Sequence, residues 1–318
     1  MNNKYLLSIC IPTNGVSRWV VPNVRQIYSL GADNDIFEVV VADNDPNEDM
    51  EKAMEEFSVY TNFRYVKTKA KGFYNIIENF VQAHGDFMIK INHRCLMQKG
   101  SIERIYKVGC KYIDRKPLIF FSNGSLRENS AFEFKTFDEY LTKLSYRSSL
   151  SEGLFFWKED VEKIPNISFA PMSPNVSLMF NSKTKNLFVI DDIKFCGGQD
   201  STGKYGYDVF YTFAVLYLDL VNQVRIEGYL SRDGFVKIKK DLAKWFRGIY
   251  LDMDVLGNNG NYVLKDIKQD MSVYYTKDEY YRMVFYARCV LLPKFLLRSV
   301  ARIVLKPIFS IFTCKQTA

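Results

Sequence analysis

The first 125 residues alternate short apolar runs with helix-length amphipathic stretches, and nothing else in the chain restricts the fold as tightly. The runs are Tyr5 to Ile11 (YLLSICI), Ile36 to Ala42 (IFEVVVA), Phe63 to Lys67, Asp86 to Ile91 (DFMIKI) and Leu118 to Ser122 (LIFFS). Helical patterns separate them at Ser17 to Leu30, Asn47 to Tyr60, Gly72 to His84 and Lys99 to Tyr112. Runs that are apolar at nearly every position suit strands buried on both faces, and connections of helix length join such strands in parallel. The pattern predicts an α/β fold with a doubly wound, mainly parallel sheet. Ligands of such sheets bind beyond the carboxyl ends of the strands. A site is therefore expected at the loops that begin at Pro12, Asp43 and Asn92.

From Ser122 to about Arg232 the chain is less regular, with strand patterns at Gly153 to Trp157 and Leu187 to Ile190 and a buried helix at Val209 to Val224. From about Ser231 it is mainly helical, divided by a polar turn at Gly257 to Asn261. A length of 318 residues suits one larger domain with an appendage. The expected division is a domain over 1–230, made of a ligand-binding half at 1–125 and a second half at 126–230, followed by a helical, basic region at 231–318. The six cysteines form no CxxC pair and the chain has two histidines, which points to a reducing compartment and away from a structural zinc site. The start of the chain does not read as a signal peptide, and no apolar run of 18 residues marks a membrane span.

From Tyr281 onward there are seven basic residues and no acidic one, so this tail carries an excess equal to the net charge of +7 of the whole chain. Lys294, Arg298, Arg302 and Lys306 recur every four residues among Leu, Val, Ile and Phe. A helix of this kind has a basic stripe and a broad apolar face, the pattern of a helix lying in a membrane interface. Residues 280–312 are expected to meet an anionic membrane surface, which places the chain in the cytoplasm, peripheral on the inner face of the cell membrane. Packing on the core domain with solvated Lys and Arg is the other reading. The tail is too hydrophobic for a nucleic-acid partner to be expected.

The first predicted strand ends in Pro12-Thr13-Asn14 and the second in Asp43-Asn44-Asp45. An acidic residue at such a tip can accept from a base N–H or a ribose hydroxyl; a turn followed by a helix cap fits the second segment equally. Gly72, flanked by Lys69 and Lys71, would open a helix whose free N–H groups can face phosphate.

Taken in order, SICIPT (Ser8 to Thr13), EVVVADN (Glu38 to Asn44), KGFYNIIENFVQAHGDF (Lys71 to Phe87) and KGSI (Lys99 to Ile102) resemble bacterial glycosyltransferase family 2, which has the GT-A fold. The resemblance covers about residues 5–105 and fades from there to about 230. It implies a nucleoside diphosphate sugar as donor, a lipid-linked or polymeric surface glycan of capsule or O-antigen type as acceptor, and inversion of the anomeric centre. It places Pro12, Thr13, Asn14 and Gly72 near the donor and Asp43 and Asn44 at the base and ribose.

The family follows its fourth strand with a D-x-D motif whose carboxylates hold a magnesium or manganese ion on the donor diphosphate. Here that place falls on Asn92-His93-Arg94-Cys95, where no carboxylate remains. A hard cation needs anionic oxygen, so the motif does not support a metal. Arg94 can instead neutralise a departing diphosphate. A decayed site that binds a nucleotide or a partner at the membrane without turnover stays open beside it. The acceptor base is sought among Glu152, Asp160, Asp191 and Asp192, with Asp191 and Asp192 just past an apolar run. Lys204, in the polar stretch Gly197 to Lys204, is placed to reach the diphosphate.

Overall fold

A computed structural model describes residues 5–150, 152–164, 167–199, 206–258 and 262–299. The elements in chain order are β1 (Leu7–Thr13), α1 (Ser17–Ser29), β2 (Phe37–Asp43), α2 (Asp49–Met54), β3 (Phe63–Lys67), α3 (Asn75–Val81), β4 (Phe87–Lys90), β5 (Cys95–Met97) and α4 (Ser101–Tyr112). There follow β6 (Leu118–Phe121), β7 (Ala131–Phe134), α5 (Phe137–Leu144), β8 (Leu154–Trp157), α6 (Lys158–Val161), α7 (Pro174–Asn181), β9 (Phe188–Asp191) and β10 (Cys196–Gly198). The remainder is helical: a wide turn at Tyr211–Tyr217, α8 (Leu218–Ile226), α9 (Arg232–Tyr250), a second wide turn at Leu251–Val255, α10 (Ile267–Ser272) and α11 (Lys277–Tyr286) running into Ala287–Leu291.

Among the described residues the strands form one eight-stranded sheet in the order β3-β2-β1-β4-β8-β6-β9-β7, and β5 pairs with β10 in a separate two-stranded ribbon. The pairs β3–β2, β2–β1, β1–β4 and β6–β9 are parallel. β8 enters antiparallel between β4 and β6, and β7 closes the edge antiparallel to β9. The sheet is thus mixed α/β and mostly parallel, as the alternation predicts. The reversed strands, β7 and β8, come from the irregular middle. Reversal has a consequence: the first residue of β8 lies where β4 ends, at the carboxyl edge of the parallel strands.

β1 and β2 are buried along almost their whole length. Leu7, Ile9 and Ile11 share one face with Val20, Val24 and Ile27 of α1, Met50 and Met54 of α2, and Ile102 and Ile105 of α4. On the other face α3 supplies Asn79, whose Nδ2 donates to Val40 O at 3.0 Å, and Asn75. Helices therefore cover both faces, which is the doubly wound arrangement. The sequence Ala-His-Gly-Asp after α3 is explained by packing. Glu38 Oε1 accepts from Ser8 Oγ, His84 N and Gly85 N. A Cβ on Gly85 would lie 2.5 Å from Ser8 Oγ, so only glycine lets this corner close.

The chain divides into two compact units, Met1–Ser201 with Asp219–Ile238, and Thr202–Leu218 with Lys239–Ala318. In the second unit the Phe210 and Phe246 rings stack at 4.6 Å, and Thr276 closes the start of α11 with a capping box to Glu279. Phe285, Leu296 and Leu297 of this unit are exposed. Among the described residues no helix is long and apolar enough to cross a membrane.

Candidate functional site

The carboxyl tips of β1 and β2 are tied together from below. Asn75 Nδ2 donates to Thr13 O and to Ala42 O, both at 2.8 Å, and its Oδ1 accepts from Thr68 Oγ1 at 2.7 Å. Thr13 is buried, and among the described residues its Oγ1 has no hydrogen-bond partner. Pro12 is half-buried and Asn14 exposed beside it. Asn44 is half-buried and donates through Nδ2 to Ala70 O at 2.9 Å and Gly72 O at 3.0 Å.

Asp43 departs from expectation. Its Oδ1 accepts from Asp45 N at 3.0 Å, and its Oδ2 accepts from Tyr65 Oη at 2.9 Å and Lys67 Nζ at 3.2 Å. With 0% exposure and all these partners, the carboxylate is spent inside the protein and does not face a base. Burial, followed by the hydrogen bond to Asp43, pushes the Tyr65 phenol up, so that bond persists at ordinary pH. The groups that reach the surface at this tip are Asn44 and Asp45. Gly72 also departs: it sits in a short 3-10 turn with φ of 55°, and the α-helix proper begins at Asn75 and has 7 residues. Tyr74 N is bonded to Lys71 O, which takes one of the N–H groups at this end.

The loop after β4 is a rigid turn. Asn92 Oδ1 accepts from Arg94 N at 3.0 Å, which consumes the side chain that would face a metal. Asn23 of α1, fully buried, donates to Asn92 O and His93 O, each at 3.2 Å. Gln199 N donates to Arg94 O, and Gln199 Nε2 to Trp19 O, each at 2.9 Å. The fixed turn lays the His93 ring on the Trp19 indole, with centroids 5.3 Å apart and planes at 20°. The Arg94 guanidinium lies 5.4 Å from the same indole centroid, and that of Arg18 lies 4.6 Å from it. Arg94 Nε is buried and has no hydrogen-bond partner among the described residues. Among the described residues no three His, Cys, Asp or Glu side chains are grouped to hold a metal ion.

Asp191 and Asp192, expected as catalytic carboxylates, are buried in the fold instead. Asp191, at the end of β9, pairs with Arg104 and accepts from Ile193 N at 3.1 Å. Burial still raises its pKa, the arginine notwithstanding. Asp192 accepts from Ser122 Oγ at 2.5 Å and from the N–H groups of Leu126 at 3.0 Å, Glu128 at 2.8 Å and Asn129 at 3.3 Å. Burial pushes its carboxyl up, but these donors outweigh it and hold the group below the usual range. Asp192 organises the 122–130 loop and has no lone pair free for a substrate proton. Asp160 is likewise buried against Lys185 at 2.9 Å and Lys163 at 3.9 Å. Of the four carboxylates considered, Glu152 is placed at the crevice: it precedes β8, and the next residue's N–H, that of Gly153, donates to Lys90 O at 2.9 Å. Lys90, the last residue of β4, is buried, and its amine is pushed down to about 8 by desolvation, with Glu152 acting the other way. Lys204 lies outside the described residues.

Sequence reasoning missed Arg18 and Trp19. The signal was an Arg-Trp pair in the first turn of the helix that follows the first strand tip.

No protein-family model and no curated protein sequence matches the chain. Solved structures do resemble it. S. aureus TarS 1-349 in complex with UDP aligns with a TM-score of 0.55 at 14% identity, over 86% of this chain and 77% of that one. The complex of the same fragment with UDP-GlcNAc gives 0.55 at 14%, over 77% and 72%. The mannosyltransferase PcManGT from Pyrobaculum calidifontis in complex with GDP-Man and Mn2+ gives 0.54 at 10%, over 91% and 81%. In another structure of TarS 1-349 the match spans 65% of that chain, and in TarS itself 43%. The mixed, mostly parallel sheet therefore resembles the GT-A fold of these solved structures.

Proposed function

We propose that this chain is a glycosyltransferase that takes its sugar from a nucleoside diphosphate sugar. The observation that carries the proposal is the convergence, at the carboxyl tips of β1, β2 and β4, of an unpartnered Thr13 hydroxyl, the Asn44 amide and a fixed turn that holds Arg94 against Trp19. Thr13 and Asn44, with Asp45, suit the base and ribose; Arg94 suits the diphosphate, whose charge grows as the sugar departs. Glu152 suits the base that removes the acceptor hydroxyl's proton, because antiparallel β8 starts at this edge. Attack from the face opposite the leaving group inverts the anomeric centre. The likeness to the complexes with UDP-GlcNAc and GDP-Man supports the class of donor, and the ordered motifs support family 2.

The acceptor of this reading is a lipid-linked or polymeric surface glycan of capsule or O-antigen type, reached from the inner face of the membrane. Its support is the second unit: Phe285 is 63% exposed and Leu297 71%, and Lys294 and Arg298 stand beside them with no acidic residue after Tyr281. Apolar area together with positive charge gives reversible binding to anionic lipid. Replacing Phe285, Leu296 and Leu297 by serine should abolish sedimentation with phosphatidylglycerol vesicles; unchanged sedimentation rules out this surface.

The activity is tested by following release of nucleoside diphosphate from UDP-, GDP-, CDP- and dTDP-sugars. One donor class should turn over, and Glu152→Gln should stop turnover while leaving donor binding intact. Burial of Asp160, Asp191 and Asp192 favours a second reading, nucleotide binding without transfer. Donor binding by the native chain with no release of diphosphate in any mixture establishes that reading instead.

A further inference from the structure

We infer that Cys95 and Cys196 form an oxidation site, at which hydrogen peroxide is reduced and a reversible disulfide ties β5, just after the β4 turn, to β10. Their sulfurs lie 3.3 Å apart, although the residues are 101 positions apart in the chain. The ribbon explains the meeting. β5 and β10 run antiparallel, with Cys196 opposite Met97 and Cys95 opposite Gly198. Alternation puts Cys95 and Met97 on one side of the ribbon, so Cys196 shares that side with Cys95. Both cysteines are held in place. Cys95 N donates to Asn92 O at 2.8 Å, Cys196 N donates to Asn123 Oδ1 at 3.1 Å, and Asn123 Nδ2 donates to Cys196 Sγ at 3.4 Å. A disulfide sets its sulfurs about 2.05 Å apart, so the pair has to close by little more than about 1 Å. β10 can yield that distance: Gly197 and Gly198 follow Cys196, and a Cβ at either would meet nothing within 4 Å.

The two cysteines are not equivalent. Cys196, 1% exposed, donates its S–H to Cys95, and that hydrogen bond, followed by burial, pushes its thiol up. Cys95 accepts that bond and is 5% exposed, so the peroxide meets Cys95 first. The Cys95 sulfur attacks one peroxide oxygen and the O–O bond breaks. A sulfenic acid forms, and the thiol proton leaves with the released hydroxide as water. The Cys196 sulfur then attacks the Cys95 sulfur. The S–O bond breaks, and its oxygen leaves as water with the Cys196 proton. Two thiols and one peroxide thus give one disulfide and two waters, the sulfurs supplying both electrons. The low-molecular-weight thiols of a reducing compartment reverse the link by exchange. The link braces the turn that carries Arg94, but its formation does not depend on the nucleotide-sugar reading.

The test is peptide mapping by mass spectrometry of the full chain, reduced, freed of reductant, treated with hydrogen peroxide and then blocked with iodoacetamide in urea. The expected product is a linked peptide pair holding Cys95 and Cys196, lighter by two hydrogens than the two thiol peptides. It should be absent before peroxide and lost with dithiothreitol. Exposed Cys289 marks the peroxide dose at which an accessible thiol reacts. Cys196→Ser removes the thiol that resolves the sulfenic acid, so dimedone should label Cys95 in this variant about tenfold more than in the native chain. Circular dichroism melting checks that the variant keeps its fold; if it does not, the mapping of the native chain decides alone. Recovery of Cys95 and Cys196 as alkylated thiols at doses that oxidise Cys289, or linkage of Cys95 to a different cysteine, overturns the inference.

Discussion

Asn75 joins the two strand tips that frame the crevice, and removing its amide tests that joint. In Asn75→Ala three hydrogen bonds disappear, to Thr13 O, Ala42 O and Thr68 Oγ1, all between 2.7 and 2.8 Å and all in a side chain that is 3% exposed. At a net worth of about 1 kcal/mol each, the loss is about 3 kcal/mol. With a urea slope of about 3 kcal/mol per molar, the unfolding midpoint of the unit that holds the sheet falls by about 1 M. Asn75→Asp separates bonding from shape. At neutral pH its carboxylate oxygen faces two carbonyl oxygens, so it should be less stable than the alanine variant. Protonation restores one donor, so the folded pKa of this introduced carboxyl is raised and its stability is lost as pH rises through that value. Urea melts followed by tryptophan fluorescence at pH 5 and pH 7.5 measure both effects. A native-like midpoint for Asn75→Ala, or an aspartate variant indifferent to pH, would refute the claim that this amide holds the tips.

Lys90→Met should raise stability at pH 7, since moving a buried amine from 10.5 to about 8 corresponds to about 3 kcal/mol against the charged form. The native chain's stability should rise between pH 8 and 10.5, where the unfolded state binds the extra proton, and the methionine variant should lack that rise in chemical melts. Asp192→Asn should cost about 1–3 kcal/mol above pH 4 and little at lower pH, because a depressed carboxyl contributes stability that vanishes as acid protonates it; melts over that range decide. Gly153→Ala should fail to fold, as its Cβ would sit 1.9 Å from Phe121 O at a φ of 86°; soluble protein with a native melting curve contradicts the strand register.

How far the sequence disclosed the molecule depended on periodicity. β3 lies at the run Phe63 to Lys67 where the sequence placed it, and β1, β2, β4 and β6 differ from their apolar runs by a residue or two, because strands buried on both faces leave an unmistakable pattern. β5 and β10 were not legible: three residues each carry no period, and they pair across about a hundred positions of sequence. The orientation of β8 was equally hidden, since nothing in the 122–153 stretch, which carries β7 and α5, marks the direction of the strand that follows. At the site, Arg94 was visible because a charge replaced an expected charge of opposite sign. Asp43, Asp191 and Asp192 were misjudged because an acidic residue at a strand tip looks the same in sequence whether it faces solvent or meets Lys67, Arg104 or the 122–130 loop. Asn75 carried a structural role that no local pattern could assign, as its partners lie 33 and 62 positions away.

Hydrogen–deuterium exchange with and without saturating nucleoside diphosphate locates the donor on the chain. The account predicts slowed exchange at residues 12–15, 43–46 and 92–95, the three loops beyond β1, β2 and β4, with no comparable change around 122–130. Protection confined to other segments, or a bound nucleotide that leaves all three loops exchanging as before, would contradict it.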